Sequence, residues 1–312
     1  MIGATRWYDV DGLRVHAVEW HPNVWSRNGP PVGTSDQTKV VLVHGLGANT
    51  VSWEPVGARL ADALGATVVA VDLGGFGRTR LPVGRRATVG ANGRLLRALI
   101  AEEIGPAVVV GNSMGGAIGI GLAARHPELV PALVLVDPAL PRSPRDVPPW
   151  TVMARFAPLM VPPVGWRVVG LRARALGPAR LVDATLGYSL SDPRRLDPAV
   201  RKRLVALATE RVAYSEAAPA YADAARSLFL MLQRSIVSDL ARVQCPTLVV
   251  HGELDRLVPV ASVHALAARR PDFDVEILDD CGHAPQLECP QRFVDVVGPW
   301  LARRATEAAH RA

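Results

Sequence analysis

Gly111-Asn112-Ser113-Met114-Gly115 stands directly after the apolar run 107–110 (AVVV) and directly before 116–125, whose apolar residues recur at helical spacing. The five residues fit G-x-S-x-G in the strand–turn–helix context that this pattern requires. The logic is steric. A sharp turn from strand to helix holds the serine backbone under strain, and a glycine two residues to either side leaves room for the adjoining strand and helix. The Ser113 hydroxyl is then expected to project into a cleft, with the Met114 N–H facing it at the helix start. The competing reading is a glycine-rich βα turn without chemistry, and the rest of the chain has to decide between the two.

Working outward, short β-branched runs recur at 39–43 (KVVLV), 67–71 (TVVAV), 132–136 (ALVLV), 247–250 (TLVV) and 274–278 (DVEIL). Helical spacing marks 53–64, 95–103, 116–125, 260–269 and 291–304. Near-continuous apolar strands alternating with helices predict an α/β fold with a mostly parallel sheet covered on both faces. Residues 5–10 and 13–20 read as a hairpin about Asp11-Gly12. About 110 residues separate the runs at 132–136 and 247–250, too many for a plain crossover. This stretch opens with Pro141, Pro144, Pro148 and Pro149, then reads as helices around 151–160, 164–174, 179–185, 198–213 and 222–240. The expected organisation is a core of residues 1–139 and 241–312 with an inserted helical cap, residues 140–240.

The chain has 312 residues, 49% hydrophobic and 21% charged, which is ordinary globular composition. It is long enough to bury a large core without a metal or disulfide. The net charge is +6, carried almost wholly by arginine, and residues 141–240 hold 15 Arg/Lys against 8 Asp/Glu. Such a face is most simply a solvated surface, and attraction of anionic ligands or lipid is the sharper reading. No zinc-finger or RNA-recognition spacing points to nucleic acid. Cys245, Cys281 and Cys289 are odd in number and lack a CxxC, so they are expected to be small buried apolar residues rather than a disulfide framework or zinc site. The N-terminus has no signal-peptide pattern, and Pro, Gly or Arg breaks every apolar stretch short of a membrane span. A cytoplasmic protein without stable membrane insertion is the expectation.

The chemistry-bearing residues fall at strand ends, where open α/β sheets place their sites. His44-Gly45-Leu46-Gly47 follows the run 39–43. Acyl transfer needs donors for a tetrahedral oxyanion, and the Leu46 and Met114 N–H groups are the candidates for that hole. Serine needs a base with a pKa near 7 to attack. Of the eight histidines, His283 alone lies on a terminal loop behind glycine, in Cys281-Gly282-His283-Ala284-Pro285. His44 and His251 sit in His-Gly turns, where bracing roles are expected. A carboxylate must orient the imidazole. Asp255 in His251-Gly252-Glu253-Leu254-Asp255 is favoured, with Asp137 as a structural turn residue and Glu253 as a weaker option. The order is then Ser, Asp, His.

Taken together, HGLG at 44–47, DLGGFGRT at 72–79, GNSMGG at 111–116, HGELDRLVP at 251–259 and GHAPQLECP at 282–290 resemble the α/β-hydrolase superfamily over essentially the whole chain. The resemblance implies the α/β-hydrolase fold, a triad of Ser113, Asp255 and His283, an oxyanion hole at Leu46 and Met114, and a lid at the inserted helices. It departs at Gly74, where members often carry proline. Serine at the elbow disfavours the dehalogenase and epoxide-hydrolase branches, which use aspartate there. Hydrolysis of a small or medium carboxylic ester through an acyl-enzyme is the first expectation. GNSMGG also resembles hydrolases that cleave C–C bonds in ring-fission products, but Ala284 stands where those usually carry an aromatic residue. A non-catalytic ligand-binding member of the fold is the alternative from another class. Neither cofactor nor metal is needed for this chemistry. Trp150, Met153, Phe156 and Met160 are candidates for an apolar substrate pocket, with cap packing as their simpler reading.

Overall fold

The computed structural model describes residues 3–23, 39–141 and 157–309. Trp150, Met153 and Phe156 lie outside the described residues, and Met160 lies within them. Eight strands form one sheet: β1 (Ala4–Val10), β2 (Leu13–Trp20), β3 (Lys39–Val43), β4 (Val68–Val71), β5 (Ala107–Asn112), β6 (Leu133–Val136), β7 (Thr247–Gly252) and β8 (Asp274–Leu278). Their spatial order is β1-β2-β4-β3-β5-β6-β7-β8. β1 and β2 form the expected hairpin, with Asp11 and Gly12 both at positive φ (51° and 67°), and β2 runs antiparallel to β4. The six strands from β4 to β8 are parallel.

Why the central strands read as unbroken apolar runs is now visible. Val41 and Val43 of β3 enter one core with Val69, Val109, Leu133 and Val249. Val40 and Leu42 enter the other with Val68, Val108, Val134 and Leu248. Both faces are therefore buried, and period-two alternation brings no polar residue with it. Helices α1 (Glu54–Leu64) and α10 (Pro290–Ala309) cover one face through Leu60, Phe293 and Val297. α2 (Val89–Leu99), α3 (Met114–Arg125) and α8 (Val260–Arg269) cover the other through Leu96, Ile118, Ile120 and Val263. Each such side chain contributes roughly 1.5–3 kcal/mol of burial.

Between β6 and β7 the longer described elements are helices: α4 (Pro162–Ser189), α5 (Pro198–Glu210), α6 (Ala217–Arg234) and α7 (Ile236–Leu240). The first of these is broken at Gly177, whose φ of 70° precedes Pro178. Pro178 lacks the N–H that would continue the ladder. α2 begins at Val89, earlier than apolar spacing predicts. Thr88 caps it by accepting from the Ala91 N–H (3.1 Å), and Gly90 and Gly93 thin the apolar pattern of its first turns.

One expectation is corrected. Cys281 and Cys289 form a disulfide, with Cα atoms 6.8 Å apart, and Cys245 is the free thiol. Counting thiols along the chain misses this, because the short helix α9 (Pro285–Glu288) folds residue 289 back onto residue 281. Closing so short a loop stabilises by about 2–3 kcal/mol on the chain-entropy account. Cys289→Ala is expected to lower the urea midpoint in oxidising buffer and to match wild type once dithiothreitol is present. Equal midpoints in both buffers would show the bridge to be energetically idle.

Candidate active site

Ser113 joins β5 to α3 with φ 53° and ψ −110°, a conformation that side-chain-bearing residues rarely adopt. The two flanking glycines explain why the chain can make this turn. A Cβ on Gly111 would lie 2.4 Å from the Gly115 carbonyl oxygen, and one on Gly115 would lie 2.2 Å from that of Val43. The turn is pinned by the Ser113 N–H donating to Val136 O (2.9 Å) and by Ser113 O accepting from the N–H groups of Ala117 and Ala139 (both 3.1 Å). Asn112 then reaches across the strand ends. Its amide donates to Val136 O and to His283 O, both at 3.1 Å. The residue beside Ser113 is thus tied to the residue proposed as its base.

His283 is buried, and its Nδ1 stands 2.6 Å from Asp255 Oδ2. That carboxylate assigns the proton to Nδ1 and leaves Nε2 as the basic nitrogen. Asp255 Oδ1 accepts from the Leu257 and Val258 N–H groups at 2.7 and 3.0 Å. Burial works to raise this acid, but His283 beside it, together with His251 and the backbone donors, outweighs burial and holds it below the usual carboxylate value.

Asp137 is the contrasting carboxyl. It turns the chain at the end of β6 with φ 42°, is fully buried, and accepts from the Gly252 N–H (2.9 Å). Burial, and then the negative charge of Asp255, raise it well above the ordinary carboxylate range. Between the two acids lies His251, held neutral by burial, with Nε2 3.0 Å from Val258 O and Nδ1 3.3 Å from Asp137 Oδ1. Ligating atoms of Asp137, His251 and Asp255 lie within 4.8 Å of one another, close enough to hold an ion. Asp255 Oδ2, Asp137 Oδ1 and His251 Nε2 are engaged by His283, Gly252 and Val258, while among the described residues His251 Nδ1 and Asp137 Oδ2 are buried without a hydrogen-bond partner. The surroundings thus favour the charged form at Asp255 and the protonated form at Asp137.

On the opposite wall, the loop after β3 brings Gly45 against Ser113, where a Cβ would stand 3.2 Å from the Ser113 Cβ. His44 braces this loop. Its Nε2 accepts from the Leu73 N–H (3.1 Å), so its Nδ1–H donates to Gly45 O (2.8 Å), and burial keeps the ring neutral. Among the described residues, neither the Leu46 nor the Met114 N–H has a protein acceptor. The loop holding residues 72–79 is organised by Asp72, which accepts from His16 Nδ1 (2.7 Å), the Thr50 N–H (2.8 Å) and the Arg78 N–H (2.9 Å). Half-buried Leu46 packs on a small cluster of Leu159, Ala222 and Ala225 together with Met160, Val169 and Tyr221. Met160 therefore shares a contact cluster with Leu46. Trp166, at the start of α4, instead donates its Nε1–H to Asp223 (3.1 Å).

Sequence reasoning passed over Glu288 and Tyr221. The buried Glu288 carboxylate accepts from the N–H groups of Gly282 (2.8 Å), Ser191 (3.1 Å) and Asp192 (2.7 Å), and from the Ser191 hydroxyl. The His283 N–H donates to Ser189 O (2.6 Å). The histidine loop is thus knotted to the end of α4. An acid five residues beyond a candidate histidine was the available signal. Glu288→Ala strands the buried Gly282 N–H and the part-buried donors of Ser191 and Asp192, and is expected to cost about 3 kcal/mol, read as a lowered urea midpoint. Tyr221 packs on Gly47, where an added Cβ would meet its ring at 2.9 Å.

The sequence pattern of the alpha/beta hydrolase family matches residues 40–296. The chain belongs to this family. Within it, this alpha/beta hydrolase is 30% identical over 276 residues to the 2-hydroxy-6-oxo-6-(2'-aminophenyl)hexa-2,4-dienoic acid hydrolase of Metapseudomonas resinovorans, covering 85% of this chain and 84% of that protein. It is 29% identical over 280 residues to Lipase LipV of Mycobacterium tuberculosis, covering 87% and 96%. A thermophilic esterase from Thermogutta terrifontis has the same fold, with a TM-score of 0.69 at 23% identity over 96% of this chain and 99% of that one. Among the described residues, no helix of this hydrolase is long and apolar enough to cross a membrane.

Proposed function

We propose that this protein is a serine hydrolase that cleaves a small or medium carboxylic ester through an acyl-enzyme. The observation that carries the reading is the buried His283–Asp255 pair at 2.6 Å, tied through His283 O to Asn112, the neighbour of Ser113. His283 Nε2 takes the Ser113 proton as Oγ attacks the ester carbonyl. The oxyanion accepts from the Leu46 and Met114 N–H groups. His283 then gives its proton to the departing alkoxide, and water repeats the sequence on the acyl-enzyme. Asp255 stabilises the imidazolium formed in each half-reaction. Residues 1–139 and 241–312 make the catalytic core and residues 140–240 the cap. Met160 and Tyr221, which pack near Leu46, support an apolar acyl site there.

A panel of p-nitrophenyl esters of increasing chain length, run beside Ser113→Ala and a fluorophosphonate probe, tests the proposal. Turnover with labelling that Ser113→Ala abolishes is expected. Folded wild-type protein that neither turns over nor labels would favour a ligand-binding member of the fold. A second reading, C–C bond hydrolysis, is favoured by relatives that include the dienoic acid hydrolase and a 2-hydroxymuconate semialdehyde hydrolase of Pseudomonas, 28% identical over 280 residues. A ring-fission substrate consumed faster than any ester would replace the first reading with this one.

A further inference from the structure

We propose that the outward face of the first half of α4 docks on an anionic lipid surface. Residues 147–182 contain five arginines, no lysine and neither Asp nor Glu. In the helix, Val164, Leu171 and Ala175 are exposed and stand on one side at spacings of seven and four, with half-buried Val168 among them. Leu171 is 63% exposed and Val164 46%. Exposed Arg167 and Arg174, seven residues apart, lie along one edge of this strip. The opposite side is already occupied: Gly165 is buried against Leu159, and Val169 packs on the cluster of Leu159, Ala222 and Ala225. The helix is thus amphipathic twice over, with one apolar side for the protein and a second, arginine-edged one for solvent.

Four arginines elsewhere in the insertion are neutralised by carboxylates, while Arg211 and Arg226 are spent on backbone carbonyls. Arg194 pairs with Asp192, Arg195 with Asp280, Arg201 with Asp183 and Arg203 with Glu54. Among the described residues no carboxylate pairs with Arg167 or Arg174. An unneutralised cationic edge beside exposed aliphatic side chains complements a surface that is anionic outside and apolar beneath. A convex helix with aliphatic residues in the middle fits the headgroup–acyl boundary of a bilayer, where Val164 and Leu171 enter and the guanidinium groups stay at the phosphates. An acidic protein would satisfy the arginines but would need a groove for the helix. The proposal is independent of which bond the protein cleaves.

The test is co-sedimentation of the full chain with vesicles of equimolar phosphatidylglycerol and phosphatidylcholine, and with vesicles of phosphatidylcholine alone. Binding is expected only to the anionic vesicles and is expected to weaken as salt is raised. Arg167→Gln with Arg174→Gln should reduce partitioning about 25-fold, at roughly fivefold per surface cation. Leu171→Ser should reduce it about tenfold at low salt. All variants should retain wild-type turnover of a water-soluble ester or, failing turnover, the wild-type melting transition. Failure to sediment with anionic vesicles, equal binding to phosphatidylcholine, or unchanged binding by the double variant would each overturn the proposal. So would a wild-type dimer that does not sediment and that Leu171→Ser makes monomeric, since the face would then belong to a second copy of the chain.

Discussion

Ser113→Ala is expected to reduce kcat for ester hydrolysis by about 10⁴- to 10⁶-fold, with the melting transition preserved. The fold should survive because alanine keeps the Cβ and can take the same backbone place between Gly111 and Gly115. The hydroxyl is in none of the hydrogen bonds that pin the turn. Those run from the Ser113 N–H and to its carbonyl oxygen. What is lost is the nucleophile. A residual rate above water is expected, because the Leu46 and Met114 N–H groups still polarise a bound carbonyl. Fluorophosphonate labelling and burst kinetics measure the outcome. A variant that still labels would place the nucleophile elsewhere.

Asp255→Asn is the second large effect, with a fall in kcat of about 10⁴-fold. An amide at 255 can face His283 but carries no charge to stabilise an imidazolium, and it favours the wrong ring tautomer. Asp137→Asn should change kcat by no more than about threefold, because burial and the charge of Asp255 already hold Asp137 protonated, and an amide is a close neutral substitute. The pair of variants separates the two strand-end acids. Comparable losses in both would mean that the charge is shared between them.

The same asymmetry sets a pH dependence of stability. Asp137 is raised in the fold, so above about pH 4 the unfolded chain loses this proton while the folded chain keeps it. The folded state then binds more protons, and stability falls as pH rises. Asp137→Asn removes this cost, so its stability relative to wild type should climb from pH 4 towards neutrality. Asp255 acts in the opposite sense. Its lowered value contributes stability above the ordinary carboxylate range that is lost as pH falls through the folded value. Urea midpoints across acid pH check both signs. A flat difference between Asp137→Asn and wild type would mean that Asp137 ionises in the fold.

How much was legible in the sequence follows from how local each feature is. The central strands could be read because each run, such as KVVLV at 39–43, is buried on both faces and so lacks polar residues, and the edge hairpin could be read from its Asp11-Gly12 turn. The start of α2 was missed because Thr88, a cap, outweighs the glycines that hid the helix. The disulfide was missed because thiol counting sees separation along the chain and not the fold-back at Pro285–Glu288. Glu288 was passed over because its donors at Ser191 and Asp192 lie almost one hundred residues away.

By itself, the sequence determined the α/β alternation, the helical insertion and the Ser113 turn, since strand patterning and glycine clearance are local steric matters. Only the tertiary structure decided which strand-end acid keeps its charge, what holds the His283 loop, and which arginines lack a carboxylate. Burial and charge pairing depend on distances between residues far apart in the chain, and those distances exist only once the sheet has brought the strand ends together.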